Sequence, residues 1–129
     1  MITGLDHITI NVKSIDVSIK FYKDVIGLEE CGTVDMGDHT LYYFQLPQGV
    51  RLELIDYENK LEHIHPSELT PGIYRHFCLV TDDVEEIAKR CKDNGTKMHQ
   101  DVAYVEKLKF KNILIEDPNG VEIEIIQNV

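Results

Sequence analysis

The strongest constraint on this chain is a nine-residue segment with a near copy, Pro47-Gln48-Gly49-Val50-Arg51-Leu52-Glu53-Leu54-Ile55 and Pro118-Asn119-Gly120-Val121-Glu122-Ile123-Glu124-Ile125-Ile126. In each copy Pro and Gly set turn dihedrals. The residues that follow alternate in polarity with period two, so each copy reads as a turn feeding a strand. Glu53 and Glu124 then fall on the same face of equivalent strands, together with Arg51 and Glu122. One face of an antiparallel sheet is commonly wet, and solvation alone accounts for charges there. Each half adds a histidine in a strand-like run, Leu5-Asp6-His7-Ile8-Thr9-Ile10-Asn11-Val12 and Ile73-Tyr74-Arg75-His76-Phe77-Cys78-Leu79-Val80. Two His and two Glu thus occupy matched positions of two repeats.

The first run, about residues 4 to 12, places His7, Thr9 and Asn11 on one face and Ile8, Ile10 and Val12 on the other. Ser14 offers an N-cap, and Ile15, Ile19, Tyr22 and Ile26 recur at helical spacing until Gly27. Strands are expected near 29–35, 39–46 and 50–57, completing a first module over residues 1–57. Residues 58–71 are polar, carry Pro66, Ser67, Thr70 and Pro71, and read as a linker in which His63 and His65 are solvated. The order repeats in a second module, residues 72–129. A strand near 73–81 leads to a helix opened by Asp82 and Glu85, with Val84, Ile87, Ala88 and Cys91 inward and Asn94-Gly95 at its end. Strands near 96–105, 108–116 and 120–127 follow. The expected fold is α+β, two tandem βαβββ modules forming a curved mixed sheet. The histidines are 69 positions apart and the glutamates 71, a drift one loop absorbs, so a tandem duplication and a pseudo-twofold pair are indicated.

If each sheet curves, the faces bearing His7, Glu53, His76 and Glu124 point into one cavity. Two imidazoles and two carboxylates suit one divalent ion such as Zn, Ni, Co, Mn or Fe, rather than an all-oxygen Ca site or a thiolate site. A formal net charge of -10 argues against a nucleic-acid surface, which needs clustered cations. No apolar run is long enough to span a bilayer and the N-terminus has no signal-peptide pattern, so a cytoplasmic protein with no membrane partner is expected. Cys31, Cys78 and Cys91 lack CxxC spacing and are expected as buried or half-buried free thiols. Tyr42, Tyr43, Phe44 and Phe110 read as core or cavity wall, and His39 and His99 as exposed residues near turns. Lys107, Lys109 and Lys111, at period two, place three cations on one strand face, as charged edge strands do.

The paired modules, the opening Leu5-Asp6-His7-Ile8-Thr9-Ile10 run, the spacing of Phe21-Tyr22 and Gly27-Leu28, and Asp117-Pro118-Asn119-Gly120 followed by Ile123-Glu124 resemble the vicinal oxygen chelate superfamily. That superfamily includes glyoxalase I, methylmalonyl-CoA epimerase, extradiol dioxygenases, and fosfomycin and bleomycin resistance proteins. The resemblance implies His7, Glu53, His76 and Glu124 as metal ligands, a set closest to glyoxalase I; dioxygenases typically use three protein ligands and the epimerase typically has Gln at the position of Glu53. It implies a metal-dependent lyase or isomerase that abstracts a proton beside a chelated oxygen of a small-molecule substrate. Glu124 is then the principal base, Glu53 its pseudo-symmetric partner, and a homodimer the usual assembly. Acyl-thioester epimerase, ring-cleaving dioxygenase and non-catalytic drug-binding protein are the alternatives within the same superfamily. Asn11 stands where glyoxalase I usually has an Arg that grips the glutathione carboxylate, and Asn cannot supply that charged bidentate contact. The Glu53-Leu54-Ile55-Asp56-Tyr57 run also departs from the ELTYN-like run of glyoxalase I.

Overall fold

The computed structural model describes residues 1–60 and 74–129, and the chain divides into two compact units, Met1–Glu62 and His63–Val129. The linker reading, with His63 and His65, lies mostly outside the described residues.

The first unit runs β1 (His7–Asn11), α1 (Ile15–Lys20), β2 (Glu29–Asp35), β3 (His39–Gln45) and β4 (Arg51–Tyr57). Its sheet has the order β1-β4-β3-β2, with β1 parallel to β4 and the other pairs antiparallel. The alternation in β1 holds: Ile10 and Val12 are buried while His7, Thr9 and Asn11 are exposed. Leu52, Leu54 and Phe44 line the same dry face, where Tyr22 meets Phe44 with ring centroids 6.0 Å apart. Burying such side chains supplies about 1.5–3 kcal/mol each. Ser14 occupies the N-cap position, but its side chain makes no capping hydrogen bond. After Lys20 the helix widens into a π turn, Phe21–Val25, closed by Ile26 N–H donating to the Phe21 carbonyl at 3.2 Å. That turn moves the inward stripe: Ser18, Phe21, Tyr22 and Val25 are buried, whereas Ile15, Ile19 and Ile26 are only half-buried.

The second unit repeats the plan: β5 (Phe77–Val80), α2 (Val84–Asp93), β6 (Met98–Val105), β7 (Phe110–Glu116) and β8 (Glu122–Asn128), in sheet order β5-β8-β7-β6 with β5 parallel to β8. Val84, Ile87, Ala88 and Cys91 turn inward as expected, above the paired Ile113, Ile115, Ile123 and Ile125. The cap is one residue later than the sequence suggests. Asp83, not Asp82, accepts from the N–H of Glu86, an N-cap contact worth about 1 kcal/mol. The three-cation strand face does not form. Lys107 and Lys109 lie in the turn after Val105, with Lys109 at φ 59°, and only Lys111 is in a strand, where it pairs with Glu85 at 2.7 Å.

Candidate functional site

Each sheet carries a His–Glu pair on the face away from its helix. In the first unit His7 lies opposite Arg51 and Thr9 opposite Glu53, so the parallel register sets His7 diagonally beside Glu53. The distance from His7 Nε2 to Glu53 Oε1 is 3.8 Å. In the second unit Cys78 lies opposite Glu124, and His76, just ahead of β5, stands in the same diagonal relation, with Nε2 3.7 Å from Glu124 Oε1. Among the described residues no group of three or more His, Cys, Asp or Glu side chains is gathered in metal-holding geometry, and each unit carries its own His–Glu pair.

These pairs fit a metal's demands. Bonds of about 2.0–2.2 Å from one ion span donors up to roughly 4 Å apart. The Nδ1 atom of each histidine is already engaged: His7 with Asp6 Oδ2 at 2.6 Å, His76 with Glu122 Oε1 at 3.1 Å. An ionised carboxylate only accepts, so Nδ1 carries the proton and Nε2 keeps its lone pair on the glutamate side.

The two glutamates are held differently. Glu53 is buried, and each of its oxygens accepts from a hydroxyl: Oε1 from Thr9 at 3.1 Å, Oε2 from Tyr43 at 2.5 Å. The hydrogen bond that Tyr43 gives Glu53 pushes the phenol above its ordinary value, and loss of hydration adds to it. The Arg51 guanidinium lies over the Tyr43 ring at 4.1 Å and reaches Asp6 at 3.3 Å. Glu124 is more open, with its side chain 19% exposed against 9% for Glu53. Its Oε2 accepts from the Asn112 amide at 2.9 Å, and Asn112 in turn accepts from Gln100 at 2.6 Å. Beside it the Cys78 thiol is pushed up to about 12, first by loss of hydration and then by the Glu124 charge. Cys78 as a residue is nevertheless exposed, as is Cys31, so only Cys91 is the buried thiol expected.

Glu122, expected on a wet face, is buried. It binds Arg75 through Oε1, shares that oxygen with His76, and bonds His99 through Oε2 at 2.8 Å. His99 is not an exposed turn residue: its side chain is 8% exposed, and its Nε2 meets Glu116 Oε2 at 2.9 Å. Burial pulls its pKa down, but the bonds to Glu122 and Glu116 outweigh this and leave it raised. For Glu122, burial pushes up while Arg75, His99 and His76 pull down further, and the net is a lowered pKa. His39, also read as exposed, is half-buried, stacks on Tyr57 with centroids 4.8 Å apart and contacts Asp38.

Tyr43, Asn112, Glu122 and His99 are the site residues that sequence reasoning misses. For Tyr43 a signal exists: counting back across the Pro47–Gly49 turn pairs Gln45 with Arg51 and hence Tyr43 with Glu53. His99 has no such signal, because it is the extra residue of a β-bulge between Met98 and Gln100, where the register shifts and a side chain is re-aimed.

Paired βαβββ modules, each with a His–Glu pair beside its parallel strand pair, define a class of two-module proteins. The chain belongs to the Glyoxalase/Bleomycin resistance protein/Dioxygenase superfamily, whose family model matches residues 4–125. It is 26% identical to a lactoylglutathione lyase of Haemophilus influenzae, over 95% of this chain and 90% of the relative. It is 31% identical to the Bacillus subtilis protein YwbC, uncharacterized, over 98% and 99% of the two chains. Among solved structures, a glyoxalase family protein of Bacillus cereus matches the fold with a TM-score of 0.86 at 19% identity, covering 100% of this chain and 96% of that one. No helix of the described residues is long and apolar enough to cross a membrane.

Proposed function

We propose that the chain is a metal-dependent, glyoxalase I-like lyase or isomerase, in which His7, Glu53, His76 and Glu124 hold one divalent ion, drawn from Zn, Ni, Co, Mn or Fe. The observation that carries this reading is the pair of matched half-sites, Nε2 to Oε1 at 3.8 and 3.7 Å, in a member of this superfamily. A bound divalent ion supplies Lewis acidity that stabilises the negative charge developing on a substrate oxygen.

The unequal hold on the two glutamates supports a division of the proton chemistry. Glu53 is held by two hydroxyl donors and Glu124 by one amide donor, the nearby Cys78 thiol donating to the Leu79 carbonyl, so Glu124 is the carboxylate better able to swing toward substrate. Glu124 removes the proton from the carbon that bears the hydroxyl and the thiol of an adduct. The proton returns to the adjacent carbonyl carbon, from Glu124 itself or from Glu53, while the hydroxyl proton passes to the other oxygen. A hydroxy-thioester isomer results, and no oxidant or reductant is consumed. Such transfer by a placed carboxylate contributes about 10²–10⁴-fold. Asn11 disfavours glutathione as the thiol, so the substrate class is another thiol adduct or another small compound with vicinal oxygens. Free thiols suit a cytoplasmic location, and homodimeric assembly follows the superfamily's habit.

The test is to purify the protein without chelators, measure its metal content, and offer the metal-loaded form ketoaldehyde adducts of several small thiols and an acyl-thioester epimerisation substrate. About one ion per four-ligand site and conversion of one adduct support the reading. Binding of an adduct that is returned unchanged by the fully loaded protein sinks it in favour of a binding protein.

A further inference from the structure

We propose that His99 is a positioning residue for the second half-site: with Arg75 it fixes the Glu122 carboxylate as the acceptor that holds His76 with its proton on Nδ1 and its Nε2 lone pair turned toward Glu124. The proposal rests on the metal-centre reading only for why that lone pair matters.

The hydrogen-bond inventory carries it. Glu116 and Glu122 are direct partners in the β7–β8 ladder, and like charges set opposite each other repel unless a cation lies between them. His99, turned inward by the β6 bulge, contacts both, with Nδ1 2.8 Å from Glu122 and Nε2 2.9 Å from Glu116. Carboxylates accept and do not donate, so both His99 nitrogens carry protons and the ring is a cation. Lys97 flanks Glu116 at 3.1 Å, and Arg75 binds the Glu122 oxygen that also faces His76. Glu122 is therefore bonded from both sides, through Oε1 to Arg75 and through Oε2 to His99, which sets its Oε1 toward His76 Nδ1. Among the described residues the first unit has an Arg51–Asp6–His7 arrangement but no counterpart of His99. The bulge there, between Glu30 and Gly32, carries the exposed Cys31, and His7 leans on the exposed Asp6.

The test reads His76 directly, in ¹⁵N-labelled protein stripped of metal and held at a pH where His76 is neutral, by long-range ¹H–¹⁵N spectra of wild type, His99→Leu and His99→Gln. Zn²⁺ titrations of the same proteins run beside it. Wild type is expected to show a protonated Nδ1 and a bare Nε2 at His76. His99→Leu should mix the two tautomers and weaken Zn²⁺ by about 10–100-fold. His99→Gln, which can still donate to Glu122, should recover much of both. A wild-type His76 protonated on Nε2 overturns the proposal, as does a folded His99→Leu protein with wild-type tautomer and Zn²⁺ affinity. If His99→Leu does not fold, the wild-type spectrum and His99→Gln decide. Should wild type bind no Zn²⁺ yet show the Nδ1–H form and lose it in the variant, positioning stands and the metal-centre reading falls.

Discussion

The two half-sites share one frame and differ in what surrounds it. In both, a histidine at the start of a parallel edge strand sits diagonally to a glutamate two residues into its neighbour, with nearly equal separations of 3.8 and 3.7 Å. Behind the histidines the units diverge. His7 leans on Asp6, whose side chain is 72% exposed and meets Arg51, while His76 leans on Glu122, whose side chain is 4% exposed and bonded to both Arg75 and His99. Around the glutamates the divergence is reversed: Glu53 is the clasped carboxylate and Glu124 the looser one. The duplicated backbone fixes where the His–Glu pairs stand. The unduplicated neighbours give His76 the more buried acceptor and Glu53 the larger number of donors.

The largest effect that would break this comparison is catalytic. Glu124→Gln should lower kcat by about 10²–10⁴-fold on whichever substrate is turned over, with metal retained. On the proposed reading, Glu53→Gln should act mainly through metal affinity, because Glu53 is the more firmly held carboxylate. Equal kcat losses at equal metal content would show that the difference in grip does not assign the roles.

A smaller effect separates the two repeated turns. Before β8 the buried Asp117 accepts from the N–H groups of Asn119 and Val121, each at 2.8 Å, and from the Asn119 side chain at 2.9 Å. Leu46 holds the corresponding place before β4, where the turn is a short 3₁₀ piece with Gln48 at φ 63°. Asp117→Ala should cost about 1–3 kcal/mol by orphaning those donors, read as a lowered denaturant midpoint. The same method should show a much smaller change for Leu46→Val.

pH should expose the same asymmetry. His99 has a raised pKa in the folded protein, so the stability it lends is complete below its ordinary 6.5 and fades as pH rises through the folded value. Glu116 and Glu122 are lowered, so their contribution is complete above 4.5 and fades as pH falls through their folded values. The second unit should therefore be most protected between those limits. Hydrogen exchange, resolved by unit, should show His99→Gln losing the alkaline decline in β6–β8. An identical decline in β1–β4 would mean it does not arise at His99.

Much of this was legible in the sequence because period and turn chemistry are local. The alternation of Ile8, Ile10 and Val12 and the helical spacing of Val84, Ile87, Ala88 and Cys91 sort residues to the faces they occupy. The His–Glu pairs follow from the repeat. What surrounds them was not legible, for physical reasons. A bulge at His99 and a π turn at Phe21–Val25 each insert a residue and invalidate parity or stripe counting beyond it. Glu122 reads as a solvated face until Arg75, 47 positions away, supplies the charge that makes its burial tolerable. Lys107, Lys109 and Lys111 mislead in the same way, since period two means a shared face only where the backbone is extended.

The smallest expected effect lies in the turn that breaks that lysine pattern. Lys109 adopts φ 59°, and its N–H donates to the Val105 carbonyl at 2.9 Å, closing the β6–β7 connection. A left-handed residue with a Cβ costs about 1–2 kcal/mol, and glycine gives back part of that relief through its larger unfolded-state entropy. Lys109→Gly should therefore stabilise the protein by no more than about 1 kcal/mol, read as a modest rise in denaturant midpoint with an unchanged slope. It should leave metal content and KM as they are. A raised KM would instead show that the Lys109 side chain grips substrate, making the β6–β7 turn part of the second unit's site in a way the first unit, with Gly37 in its β2–β3 turn, does not match.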